Sequence, residues 1–119
     1  MLKEKVKAYI EKVRAIDGVK GCALVSRDGI MLGQSLERDF NEPWLAAMCA
    51  TLFASAESAS GILKMAPPEY VCVHGGAHSL VVLGAGDKIL IVVVAERGFE
   101  HSPGARMLEI IASEIGGSF

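Results

Sequence analysis

Seven apolar residues run without interruption from Ile89 to Ala95, and the four from Ile91 to Val94 are all β-branched. This is far short of the ~20 residues a membrane span needs. Its β-branched density, with Gly84, Gly86 and Asp87 before it and Arg97 and Gly98 after it, specifies a strand. A strand that is apolar on both faces has to be covered on both faces. The rest of the chain must therefore place strands beside it and helical layers above and below it.

The flanking sequence supplies these elements in order. Leu2, Val6, Ile10 and Val13, joined by Tyr9 and Ile16, recur at helical spacing. Lys3, Lys5, Lys7, Lys12 and Arg14, interleaved with Glu4 and Glu11, make that helix's solvated face. Asp17-Gly18 closes it, with Gly18 suited to a left-handed conformation. Gly21–Arg27 and Ile30–Leu36 read as a hairpin around Asp28-Gly29, a turn expected to place both residues at positive φ. A long helix follows from Glu42 to about Met65, with Asn41 as N-cap, Pro43 in the first turn and Pro67-Pro68 beyond its end. Glu69–His74, Ser79–Gly84 and the central strand form a meander. A last helix from Ser102 to Ile115 is expected to end at Gly116-Gly117. Placing the most apolar strand at the centre gives an α+β fold of topology α-ββ-α-βββ-α. It is a three-layer α/β/α sandwich on a five-stranded antiparallel sheet in the order 2-1-5-4-3.

The long helix has two stripes. Leu45, Met48, Leu52, Phe53, Ala56, Ala59 and Leu63 are expected to face the sheet; Ala47, Ala50, Thr51, Ala54, Ser58 and Gly61 form a small-residue stripe facing out. Glu57 is the only charge between Glu42 and Lys64. Alanine has high helix propensity, but lysine and glutamate are nearly as good and are absent, so the bare stripe points to close packing by another surface. The third strand, EYVCVH, is an edge with few charges to protect it, open to pairing with a second copy.

Catalytic and metal chemistry find little support. Cys22, Cys49 and Cys72 are far apart, lack C-x-x-C spacing and read as small buried hydrophobes. His74 and His78 flank the Gly75-Gly76-Ala77 turn of the second hairpin, and Cys72 and His74 share a strand face, but a fourth ligand is missing and no metal site is assigned. Gly84-Ala85-Gly86 leads into a strand instead of a helix, so it is a turn and not a phosphate loop. Asp28, Glu69, Asp87 and Glu96 fall at strand ends as solvated turn residues, and no serine sits in a nucleophile elbow. No catalytic residue and no cofactor are expected. A net charge of −2 offers no general attraction to nucleic acid. The charged N-terminus lacks the apolar core of a signal peptide, so a cytoplasmic protein without membrane insertion is expected.

The run GVKGCALVSRDGI at Gly18–Ile30, the alanine-rich helix after it, the alternation around Leu80–Gly84 and the strand Ile89–Ala95 together resemble the roadblock/dynein light chain domain. The resemblance extends from about Leu2 to Ile115 and implies one domain over residues 1–119, a stand-alone member of prokaryotic type. It implies a non-catalytic module that dimerises through the third strand and the long helix of each copy, giving a continuous ten-stranded sheet. Many such modules regulate or scaffold small Ras-like GTPases; others are subunits of motor or signalling complexes. Carried onto this chain, the dimer face is the Ala47, Ala50, Thr51, Ala54, Ser58 and Gly61 stripe plus Val71 and Val73. Neither Arg97 nor Arg106 is expected to act as an arginine finger. Two alternatives stay open: a small-molecule sensor with a cavity lined by Met48, Phe53 and Met65, and an enzyme built on His74 and His78.

Overall fold

The computed structural model describes residues 2–119. The elements are α1 (Leu2–Arg14), β1 (Val19–Ser26), β2 (Met31–Ser35), α2 (Glu42–Ile62), β3 (Tyr70–Gly75), β4 (His78–Ala85), β5 (Ile89–Glu96), a 3₁₀ turn (Phe99–His101) and α3 (Pro103–Ser118). The sheet order is β2-β1-β5-β4-β3, with every neighbouring pair antiparallel. The expected fold and strand order are therefore present.

β5 sits between β1 and β4, and Val92 pairs with Ala23 on one side and Val82 on the other. Its residues alternate between two cores. Ile89, Ile91, Val93 and Ala95 pack under α1 and α3 with Val6, Ile10, Val13, Leu108, Ile111 and Ile115. Leu90 and Val92 pack under α2 with Ala23, Val25, Val82 and Phe53. Burying both faces of one strand supplies the apolar contact that holds three layers together.

The ends of the elements differ from the sequence reading in four places. In the first hairpin only Gly29 has positive φ (92°), while the amide of Gly29 donates to the Ser26 carbonyl (3.0 Å). The connection is thus a three-residue loop ending in a left-handed glycine, and the Asp28 carboxylate accepts from the Ser26 hydroxyl. The first helix stops at Arg14, although Gly18 does take the left-handed conformation (φ 91°) in the turn after it.

α2 ends at Ile62, before the prolines. Lys64 takes φ 57°, the Met65 amide donates to the Ser60 carbonyl (2.9 Å) and the Lys64 amide to that of Gly61 (3.1 Å). This reverse turn terminates the helix by itself. α3 instead runs through Gly116-Gly117 to Ser118. Gly116 is needed for packing: a Cβ there would lie 2.9 Å from the Gly86 nitrogen. Two glycines let the end of α3 meet the β4–β5 turn backbone to backbone.

Candidate functional site

α2 begins where expected, with the Asn41 side chain accepting from the Trp44 amide (3.0 Å). Its rotation on the sheet differs from the sequence reading. The buried residues are Ala46, Cys49, Ala50 and Phe53, with Leu45 and Leu52 packed at the margin. Met48, Ala59 and Leu63, assigned to the sheet, are exposed. Ala50, assigned to the outer stripe, is buried (9% exposed), and Ala47 turns toward the β1–β2 loop, its Cα 3.4 Å from where a Gly29 Cβ would be. The reason is volume. Val25, Val82, Leu90 and Val92 already fill the sheet surface, so the helix approaches with small side chains and one aromatic, and its larger residues point away.

The outward face is consequently more apolar than a small-residue stripe. Thr51, Ala54, Ser58 and Gly61 lie on it as expected, accompanied by Ser55. Trp44 (74% exposed) and Met48 (62%) stand at one end, Ile62 (81%), Leu63 and Met65 at the other. Sequence reasoning passed over Trp44 and Ile62 because it sought bare helix, while the informative signal was large apolar residues outside the sheet-facing arc. β3 is the free edge next to this face. Val71 is half-buried against the α2 core and Val73 is 43% exposed.

By length and composition α2 could cross a membrane. Its inner side is, however, the cover of the sheet: withdrawing it would leave Ala23, Val25, Val82, Leu90 and Val92 in water. The three residues of the alternative small-molecule cavity do not come together either. Met48 and Met65 are exposed, while Phe53 lies over Gly84 and under the Arg27 guanidinium, 5.0 Å from its ring centre. Arg27 also pairs with Glu57 (2.9 Å) and donates to the Gly86 carbonyl (2.9 Å), tying α2 to the sheet end.

On the opposite face of the β3 edge, titratable groups converge. His74 Nδ1 shares a hydrogen bond with the Ser79 hydroxyl (2.9 Å), its cross-strand partner, and His74 Nε2 lies 3.0 Å from Glu100 Oε2. Cys72 stands beside them; His78, the expected partner of His74, does not. Serine, histidine and glutamate in sequence have the composition of a hydrolytic triad, but Ser79 is 1% exposed, so no substrate reaches its hydroxyl. Burial, then the neighbouring Glu100 charge, push the Cys72 thiol up. Burial pushes Cys22 up to about 11, against the pull of Arg14, and also raises Cys49. All three thiols are protonated at neutral pH and poor nucleophiles. Glu100 was missed by sequence reasoning because only folding brings the 3₁₀ turn to β3.

The Roadblock/LC7 domain family model matches residues 5–95. An uncharacterised Methanocaldococcus jannaschii protein, MJ0714, is 25% identical over 78% of this chain and 79% of its own length. The Myxococcus xanthus MglB structure superposes with a TM-score of 0.87 at 15% identity, covering 98% of this chain and 89% of that one. A second MglB structure, described as a tetrameric arrangement, gives 0.80 at 20% identity over 97% and 88%. The likeness to these structures is one of fold, and the family match spans most of the sequence. The chain belongs to the Roadblock/LC7 domain family.

Proposed function

We propose that this protein is a non-catalytic dimeric adaptor that binds a small Ras-like GTPase and modulates or scaffolds it. The observation that carries the reading is the outward face of α2, where Thr51, Ala54, Ser55 and Ser58 form a flat strip between exposed large apolar residues. Met48 and Ile62 are equally spaced about Ser55 along the helix. In an antiparallel two-fold pairing centred there, Met48 of one copy meets Ile62 of the other, and the small residues let the helices approach closely. The free edge of β3, with Val73 beside it, extends the same surface. Ala47 and Ala50, turned into the fold, drop out of it. The resemblance to the family supports a GTPase partner: a platform of paired α2 helices would favour one nucleotide state, which requires different affinity for the two.

Light scattering tests the dimer. The wild type is expected at twice the 12.6 kDa chain mass, and Ala54→Arg at the chain mass with unchanged circular dichroism. A monomeric wild type overturns the dimer. Capture of Ras-like GTPases loaded with GTP or GDP tests the partner. Preference for one form supports regulation, equal capture reduces the role to scaffolding, and capture of neither overturns the assignment.

A further inference from the structure

We propose that Cys72, His74 and Glu100 form a three-ligand divalent-metal site of the zinc class where β3 meets the 3₁₀ turn, on the face of the sheet away from α2. The ligand atoms of these residues all lie within 4.8 Å of one another. Bonds of about 2.0 Å to nitrogen and oxygen and 2.3 Å to sulfur separate tetrahedral ligands by roughly 3.3–3.5 Å, so small side-chain rotations complete the geometry. A thiol, an imidazole and a carboxylate suit zinc better than calcium or magnesium, which take oxygen.

Three features distinguish this cluster from an incidental contact. Cys72 and His74 project from the same face of β3, so the strand fixes their separation. The Glu100 side chain is 8% exposed, and its Oε1 has no hydrogen-bond partner. His74 and, at 3.9 Å, His101 both face Oε2, and a buried carboxylate oxygen left unpaired is unfavourable unless something binds it. Finally, Ser79 is almost fully buried (1% exposed), and it holds His74 Nδ1. A metal-bound histidine is oriented in this way, through the ring nitrogen that does not touch the metal. On binding, the Cys72 thiol proton goes to solvent, and the Nε2 hydrogen that Glu100 accepts is given up to solvent or transferred to Nδ1. The neutral ring then donates Nδ1–H to Ser79 Oγ, and the freed Nε2 lone pair turns to the ion.

The test uses the reduced, metal-free full-length protein titrated with Zn²⁺ against a chromophoric chelator, and with Co²⁺ by absorption. One ion per chain is expected, with a thiolate-to-cobalt charge-transfer band. Cys72→Ser should abolish the band, and His74→Ala or Glu100→Gln should weaken Zn²⁺ binding by about 10- to 100-fold or more. His78→Ala, on the other face of the sheet, should change neither. Absence of the band in the wild type overturns the site, whatever the variants do. Binding that survives Glu100→Gln, or falls with His78→Ala, identifies surface histidines and overturns it as well. Circular dichroism of each variant separates lost ligands from lost folding.

Discussion

Gly86 and Gly116 touch through their backbones, whereas Gly117, one residue on, has nothing within 4 Å of a built Cβ. The two neighbouring glycines of α3 therefore predict opposite outcomes. Gly116→Ala drives a methyl into the Gly86 backbone, which cannot rotate away, and should cost about 1–3 kcal/mol. Gly117→Ala meets open space and replaces the poorest ordinary helix former, so it should be neutral or gain up to about 1 kcal/mol. Urea denaturation of both variants at one protein concentration checks the pair; equal destabilisation would refute the close approach. A sequence shows that both glycines lie at a helix end, but not which one faces another backbone. That contact links residues thirty positions apart, and only the packing of α3 against the sheet brings them together. The buried thiols give a second residue-scale expectation. Cys22 and Cys49 are buried and Cys72 is half-buried, so a maleimide should label Cys72 alone, slowly, in the native protein and all three after denaturation. Rapid labelling of Cys22 without unfolding would contradict its burial between α1 and the sheet.

Among the elements, α2 is the longest helix and the least deeply attached. α1 and α3 bury valine, leucine and isoleucine, while α2 buries Ala46, Cys49, Ala50 and one large residue, Phe53. Phe53→Ala should therefore cost about 3–5 kcal/mol and loosen α2 selectively. Hydrogen exchange would show it as faster exchange of α2 amides with those of α1 and α3 little changed; uniform acceleration would mean that α2 unfolds only with the whole chain. The existence, type and order of the helices and strands were legible in the sequence, though not the 3₁₀ turn, because hydrophobic period, Asp-Gly and Asn-x-Pro signals and the apolar β5 agree with one another. The rotation of α2 was not. Its two stripes differ in size more than in polarity, and the choice between them depends on the volume already supplied by Val25, Val82, Leu90 and Val92. The opposite compensation occurs at β2. Gly33 there leaves room for Val6 and Ile10 of α1, whose methyl groups would lie 2.8 and 2.9 Å from a Cβ. A glycine in an edge strand is thus the seat of a helix.

For the whole molecule, the exposed face of α2 and the free edge of β3 are contiguous, since Val71 packs in the α2 core and Val73 lies on the same strand face. If both belong to one dimer interface, folding and association are linked by mass action, and the melting midpoint should rise with protein concentration. Ala54→Arg should remove that dependence and lower the midpoint to a single value. Val73→Lys tests the strand separately: the residue is 43% exposed, so the monomer tolerates lysine, but a charge at the pairing edge opposes strand addition. Val73→Lys should then also give a monomer with a concentration-independent midpoint. A dimer that withstands Val73→Lys but not Ala54→Arg would assign association to the helices alone. In that case the continuous ten-stranded sheet is wrong for this protein. The Cys72–His74–Glu100 edge would then be open in the dimer, and zinc binding should be unaffected by protein concentration.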